Sequence, residues 1–148
     1  MPESIMVRCT ACGTLNRVPS GKAGMHGRCG QCGAGFTVPV APQVPMNVTD
    51  SNFETEVRSH SGPVLVEFWS PSCGHCVRMA PVMEELAREL GGRLKVARVD
   101  VSMNSRIPSL FEVRGTPAFV LMKGGREAAR FVGAMPKEEL FRRLQPYI

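Results

Sequence analysis

The sequence predicts an α/β fold, with a mixed central sheet covered by helices on both faces and a small cysteine-rich segment in front. From residue 48 onward, β-prone runs alternate with helical patterns, which is typical of parallel strands joined by helices. Two strand-like runs around Gly124-Gly125 then add an antiparallel hairpin. Residues 5–37 carry few large aliphatic side chains, so apolar burial alone cannot hold that segment folded.

We therefore expect three parts: a four-cysteine segment over 1–37, a proline-rich linker over 38–47 and a larger domain over 48–148. Asp50 or Ser51 can cap a first helix that runs to about Arg58. The apolar run 64–69 predicts a buried strand, and the stripe from Cys76 to Leu90 predicts a long helix. The remaining predictions are a strand over 94–101, a short helix over 105–111, strands over 118–122 and 127–132, and a helix with Pro136 at its first position ending near Leu144.

Composition and charge narrow the function classes. The chain has 43% hydrophobic and 21% charged residues, which is typical of globular proteins, and a net charge of +5. Its basic residues are scattered and Phe36 is the only aromatic residue of the first segment, so nucleic-acid binding is not expected. No apolar stretch is long enough to span a membrane and no secretory signal precedes the first segment, so we expect a cytoplasmic protein.

Four cysteines in the first segment have the spacing of a metal site. Cys9 and Cys12 form one C-x-x-C-G unit, and Cys29 and Cys32 form a near-copy after a gap of 16 residues. Two such turns can bring four thiolates around one tetrahedral ion, so we predict one structural Zn²⁺. Iron, disulfides or free thiols fit the same cysteines, and we interpret His26 as a surface residue.

A second kind of cysteine pair directly follows the predicted buried strand and opens the long helix. Cys73 and Cys76 enclose Gly74 and His75, so the two sulfurs can close a small disulfide ring. The positive end of the helix dipole and the free N–H groups there favour a thiolate at Cys73. A thiolate beside a second thiol can carry out thiol–disulfide exchange. A structural disulfide or half of a metal site would also fit this spacing.

Glu67 places a carboxylate inside an otherwise apolar predicted strand, six residues before Cys73. Burial should raise its pKa, which would let it accept a proton from Cys76. A solvated glutamate on a poorly covered face is the alternative. Arg98 could pair with Glu67 or could be an ordinary surface arginine.

Together, Phe68-Trp69, the Cys73–Cys76 pair, Gly115-Thr116-Pro117 and Val132-Gly133-Ala134 resemble the thioredoxin family. The resemblance covers roughly residues 46–148 and implies a thioredoxin fold. With the four-cysteine ribbon in front, the whole chain is similar to the zinc-ribbon thioredoxins, the second bacterial type.

The resemblance implies a role for each matching residue. Cys73 would attack a substrate disulfide, and Cys76 would resolve the mixed disulfide, leaving the Cys73–Cys76 disulfide. Glu67 stands where the family usually has a buried aspartate, and Pro117 matches the family's cis-proline. The residues implied to line the substrate groove are Trp69, Gly74, Thr116, Pro117, Gly133 and Ala134.

His75 departs from the family pattern, because ordinary thioredoxins have proline there. The Cys-Gly-His-Cys form resembles protein disulfide isomerase. A histidine can stabilise the Cys73 thiolate, so we predict a more oxidising pair than a typical thioredoxin at about −270 mV.

The partners implied are protein disulfides as substrates and a thioredoxin-reductase-type flavoprotein or glutathione as reductant. The chain shows no glycine pattern for a dinucleotide, so we expect it to bind no flavin or nucleotide itself. The shallow groove suits a monomer. Alternatives are an isomerase- or oxidase-like exchange catalyst, a zinc-controlled redox-sensing binding module (a holdase), and a second metal site at Cys73 and Cys76.

Overall fold

The computed structural model describes residues 4–19, 22, 24–38, 44–60, 62–90 and 93–148. Its N-terminal strands are β1 (Ser4–Arg8), β2 (Leu15–Pro19), β3 (His26–Arg28) and β4 (Gly35–Thr37). The elements that follow are β5 (Met46–Asn47), a π-helical turn (Glu54–Arg58), β6 (Val64–Trp69), α1 (Gly74–Glu89), β7 (Lys95–Asp100), α2 (Arg106–Leu110), β8 (Ala118–Lys123), β9 (Arg126–Val132), α3 (Lys137–Leu144) and a 3₁₀ turn (Gln145–Tyr147).

Two short antiparallel hairpins form the cysteine-rich segment, with β1 paired to β2 and β3 paired to β4. The turn of each hairpin begins with a C-x-x-C unit. Gly13 and Gly33 follow these units with φ angles of 79° and 76°, a left-handed conformation that glycine adopts without steric cost. The two units therefore fold as structural copies, as their sequence similarity indicates.

A five-stranded mixed sheet in the order β5-β7-β6-β8-β9 forms the centre of the larger domain. β6 pairs with β7 in parallel and with β8 antiparallel, so it lies in the middle of the sheet. This central position explains its near-continuous apolar sequence, because both faces of the strand are covered. The predicted α/β fold with its antiparallel hairpin is confirmed.

One apolar cluster lies on each face of the sheet. On one face, the β6 side chains of Val64, Val66 and Phe68 belong to a cluster that also contains Phe53, Val57, Ile107 and Phe111. Leu65 contacts the opposite side, where the buried stripe of α1 meets Leu140 and Leu144 of α3. Since side chains alternate along a strand, Glu67 shares the α1 face with Leu65.

Two predictions about helix starts differ from the structure. The prediction that Asp50 or Ser51 caps the first helix is wrong, because the π-helical turn has Phe53 at its N-cap and no side-chain cap. Asp50 instead accepts hydrogen bonds from the backbone N–H groups of Ser105, Arg106 and Ile107, at the start of α2. Pro136 is the N-cap of α3 rather than its first helical residue.

The predicted linker overlaps the sheet at its C-terminal end. Met46 and Asn47 pair in parallel with Ala97 and Arg98, so they form the edge strand β5. Residues 39–43 of the linker lie outside the described part of the chain. No helix in the described ranges combines the length and apolarity needed to cross a bilayer.

Candidate active site and metal centre

Cys73 lies at the N-cap of α1, directly after the loop that follows β6. Its sulfur accepts a hydrogen bond from the backbone N–H of Cys76 at 3.2 Å and lies 3.5 Å from the carbonyl oxygen of Thr116. A hydrogen bond from the Cys76 thiol lowers the pKa of Cys73, and the backbone N–H groups of Cys76 and His75 act in the same direction. The geometry therefore favours a thiolate on the partly exposed sulfur of Cys73.

Cys76 has the opposite environment, one turn into α1. It is fully buried, and burial raises the pKa of its thiol. Two cysteines with pKa values displaced in opposite directions can play different roles in one reaction. The exposed, acidified sulfur can attack first, while the buried sulfur keeps its proton until a base removes it.

Glu67 is fully buried in the central strand, on the α1 face of the sheet. Burial raises the pKa of its carboxyl group, although the hydrogen bond from Arg98 acts against this shift. The Arg98 Nε donates to Oε1 at 2.6 Å, while Oε2 has no hydrogen-bond partner among the described residues. A buried carboxylate oxygen without a partner can accept a proton or a water molecule.

Arg98 connects this carboxylate to Trp69. The two strands place Glu67 beside Arg98 in register, and the Arg98 guanidinium stacks 4.1 Å from the centroid of the Trp69 ring. Cation–π stacking of this kind restricts the ring as well as the guanidinium. Arg98 is thus an ion-pair partner of Glu67 and not an ordinary surface arginine.

The loop before β8 faces Cys73. The Thr116–Pro117 peptide bond is cis, and the Thr116 carbonyl points at the Cys73 sulfur. Gly133 donates its N–H to the Pro117 carbonyl at 2.9 Å, which joins the loop after β9 to the same place. The structure thereby links Thr116, Pro117 and Gly133 to the surroundings of Cys73. Ala134 is exposed next to Gly133.

Arg78 was not predicted as a site residue. Its Nη2 atom lies 3.9 Å from the position that a Cβ atom would occupy at Gly74. The signal was in the sequence, because residues at i and i+4 share a helix face and no acid stands within four residues of Arg78. His75 is exposed in the first turn of the same helix.

The four N-terminal cysteines form a separate cluster, in which all sulfur atoms lie within 4.8 Å of one another. The Cys9–Cys32 and Cys12–Cys29 sulfur distances are 3.7 and 3.6 Å. Zinc–sulfur bonds of about 2.3 Å in a tetrahedron require sulfur atoms about 3.8 Å apart, so the cluster fits a four-thiolate metal site. His26 is exposed and lies outside this group.

Contacts within the cluster shift the pKa values of its thiols in opposite directions. The backbone N–H groups of Cys32 and Gln31 lower the pKa of Cys29 to about 6, which favours the metal-binding thiolate. The N–H of Ala34 lowers the pKa of Cys32, but the thiols of Cys12 and Cys9 outweigh it and raise the value to about 11. Asn16 accepts a hydrogen bond from the N–H of Gly30 at 2.9 Å and so joins the two hairpins.

Comparisons with known proteins agree with both parts of this description. A family model described as thioredoxin matches residues 44–146, and one described as the N-terminal zinc ribbon of thioredoxin 2 matches residues 8–34. The chain is 40% identical over 101 residues to thioredoxin 1 from a Nostoc species, covering 68% of this chain and 94% of that protein. It is 34% identical over 136 residues to thioredoxin C-3 from Corynebacterium nephridii, covering 92% and 90% of the two chains.

A solved structure of a mutant thioredoxin from Halobacterium salinarum superimposes with a TM-score of 0.67 at 31% sequence identity. The match covers 72% of this chain and 93% of that one.

Proposed function

Since the chain belongs to the thioredoxin family and is a thioredoxin-type disulfide oxidoreductase, we propose that it reduces protein disulfides through Cys73 and Cys76. The observation that carries this proposal is the asymmetric cysteine pair at the N-terminus of α1. Cys73 is partly exposed with a lowered pKa, whereas Cys76 is buried with a raised pKa.

The reaction has two exchange steps. The Cys73 thiolate attacks one sulfur of a substrate disulfide, which forms a mixed disulfide and releases the other substrate sulfur as a thiolate. Cys76 then loses its proton and attacks the Cys73 sulfur, which releases the second substrate thiolate and forms the Cys73–Cys76 disulfide. Two electrons pass from the protein to the substrate, and protons from the cysteine pair and solvent convert the substrate thiolates to thiols.

Glu67 is the proposed base for the second step. Its Oε2 atom is buried and has no hydrogen-bond partner among the described residues, and the residue lies on the sheet face that α1 covers. The raised pKa of its carboxyl group makes it a better proton acceptor than an exposed glutamate. We assign it to the removal of the Cys76 proton, directly or through one water molecule.

The substrate groove is formed by Trp69, Gly74, Thr116, Pro117, Gly133 and Ala134. Thr116 can offer backbone hydrogen bonds to an extended peptide, since its carbonyl faces Cys73.

We propose that a thioredoxin-reductase-type flavoprotein, or glutathione, restores the dithiol, and that the protein works as a cytoplasmic monomer. His75 supports a second candidate function, disulfide isomerisation, because an exposed histidine between the cysteines can stabilise the thiolate.

The N-terminal cluster is proposed to hold one Zn²⁺ through Cys9, Cys12, Cys29 and Cys32. When bound, the ion supplies structural stability, because the two hairpins carry little apolar core of their own. We propose domain limits of 1–37 for this ribbon and 48–148 for the thioredoxin domain, with a linker between them.

Turnover of insulin disulfides, with NADPH and a thioredoxin reductase, tests the proposed function. We expect activity from the full chain and from a Cys32→Ser variant, and none from Cys73→Ser or Cys76→Ser. Full activity of Cys73→Ser would overturn the proposal.

A further inference from the structure

We propose that Arg78 and Arg114 select disulfides with acidic neighbours in the substrate chain. The inference rests on the proposed function, since it concerns the peptide that docks at Cys73. It specifies the class of substrate: an extended segment with aspartate or glutamate next to the reactive cystine.

Arg78 lies beside the active-site turn. Its guanidinium is 3.9 Å from the missing Cβ position of Gly74, and the side chain is exposed. Because Gly74 directly follows Cys73, a substrate sulfur that reaches Cys73 brings its flanking residues close to this cation.

Arg114 lies in the loop before β8, which contacts Cys73 through Thr116. Thr116 contacts the Cys73 sulfur through its carbonyl oxygen at 3.5 Å, and Arg114 precedes Thr116 by two residues, or at most about 7 Å of chain. Arg114 is exposed as well. The two arginines therefore belong to two different segments that both border Cys73.

Neither arginine has an ion-pair partner within the described ranges. Three of the acids of α1 and α3 are paired with other cations, since Glu85 and Glu89 contact Lys137 and Glu139 contacts Arg142 and Arg143. The other two, Glu84 and Glu138, form no ion pair with Arg78 or Arg114. The segments 70–78, 114–117 and 132–135, which border Cys73, contain no aspartate or glutamate. Their positive charge is thus not neutralised within the site.

Two acids near these segments have other interactions. Asp100 is in register with Trp69, but its Oδ1 accepts hydrogen bonds from the N–H and hydroxyl of Ser102. Glu112 interacts electrostatically with Arg130. Neither acid forms an ion pair with Arg78 or Arg114 in the described part of the chain.

Two exposed apolar residues are also neighbours of site residues in sequence. Val77 and Val132, next to Cys76 and Gly133, are 55% and 70% exposed. Exposed apolar side chains together with unpaired cations suit a peptide that carries both uncharged and acidic residues. Charge complementarity of this kind raises the association rate and weakens in salt.

The test uses three disulfide peptides that are identical except for acidic, neutral or basic residues flanking the cystine. The full chain in its reduced form should react with the acidic peptide about tenfold faster than with the basic one at low salt. The difference should shrink in 0.5 M NaCl. Neutral 2-hydroxyethyl disulfide, measured alongside, reports exchange chemistry without charge-dependent docking.

Variants locate the effect. The double variant Arg78→Gln with Arg114→Gln should bring the ratio of the acidic-peptide rate to the basic-peptide rate close to one. The double variant Arg78→Glu with Arg114→Glu should invert this ratio. Arg78→Lys, which keeps the positive charge, should retain it. Arg126→Gln is the matched control, because this exposed arginine starts β9 six residues, or about 20 Å, from Val132.

The outcomes separate this inference from the proposed function. Equal rates for the three peptides in the unmodified chain, or an equal loss for all peptides in the glutamine variants, would overturn the inference alone. Failure to reduce even 2-hydroxyethyl disulfide would overturn the proposed function.

Discussion

Glu67 differs from the other acids of the described residues because it is the one that is buried. A carboxylate in this position costs free energy, and the ion pair with Arg98 offsets only part of that cost, as its raised pKa indicates. Retaining such a group in the central strand is consistent with the chemical role proposed for Glu67.

Replacing Glu67 with glutamine should slow the resolution of the mixed disulfide at least several-fold, because the variant has no carboxylate to accept the Cys76 proton. Stopped-flow measurement of the second exchange step between pH 6 and 9 would detect the change. Glu84→Gln, on the exposed side of α1, serves as the control. Identical rates for both variants across this range would remove Glu67 from the mechanism.

The difference in stability between Glu67→Gln and the original chain should depend on pH. The folded pKa of Glu67 lies above its ordinary value of 4.5, so the folded chain holds this proton more tightly than the unfolded chain. The contribution of Glu67 to the free energy of unfolding is complete below pH 4.5 and is lost as the pH rises through the folded pKa. The free energy of unfolding of Glu67→Gln should therefore rise relative to that of the original chain as the pH increases above 4.5.

His75 provides a second residue-scale prediction. We expect His75→Pro to lower the reduction potential of the Cys73–Cys76 pair by tens of millivolts, since the thiolate loses a stabilising neighbour. Equilibration with a glutathione redox buffer, followed through Trp69 fluorescence, measures the potential. His26→Gln should leave it unchanged, and an equal potential in the His75→Pro variant would refute the assigned role.

At the scale of elements, a side chain accepts hydrogen bonds from the first backbone N–H groups of both α1 and α2. α1 starts beside a sulfur, and α2 starts beside the carboxylate of Asp50, which comes from a distant turn. Burial raises the pKa of Asp50, but the N–H groups of Ile107, Arg106 and Ser105 outweigh this and lower it. The loop after β7 is thereby fixed to the turn after β5.

Asp50→Ala should reduce the free energy of unfolding by about 1–2 kcal/mol, because three N–H groups at the start of α2 lose their acceptor. Asp50→Asn should lose less. Since the folded pKa is lowered, the contribution is present above pH 3.8 and declines as the pH falls through the folded pKa, so the difference should narrow in acid. Urea titrations at pH 7 and pH 3 compare the three chains, and an unchanged midpoint for Asp50→Ala would contradict the capping role.

Most elements could be predicted because the apolar pattern decides them locally. The buried run 64–68 and the stripe of α1 depend only on which faces are covered. The edge strand β5 was missed because its pairing with Ala97 and Arg98 leaves no periodicity in a two-residue strand after a proline-rich stretch. The Asp50 cap was misplaced for a similar reason, since its partners lie 55 residues or more away in sequence.

The candidate site was predictable where spacing decides it and unpredictable where side-chain packing does. The cysteine pairs and the sulfur cluster follow from C-x-x-C spacing. The stacking of Arg98 on Trp69 depends on rotamers, which one sequence does not reveal.

At the scale of the whole molecule, the two parts have separate sources of stability. Both apolar clusters draw their described members from residues 46–148, whereas residues 4–38 depend on two hairpins and four cysteines. The metal should thus hold the ribbon folded without being needed for the larger domain.

Cys12→Ser should lose the bound zinc and make the ribbon sensitive to proteolysis, while the domain around Cys73 stays folded. The zinc content of the original chain should be one ion per molecule, and Cys73→Ser, as the control, should keep that ratio. Elemental analysis with limited proteolysis provides both readouts. A ratio near two, falling to one in Cys73→Ser, would instead support a second metal at the active-site pair.

The most direct test of the exchange mechanism is to trap its intermediate on the full chain. With Cys76→Ser, the second step cannot occur, so a disulfide-containing protein should remain covalently attached through Cys73. Peptide mass spectrometry should find the attachment at Cys73 alone and show its release by dithiothreitol. Attachment through Cys9, Cys12, Cys29 or Cys32, or the absence of any adduct from a folded variant, would contradict the account.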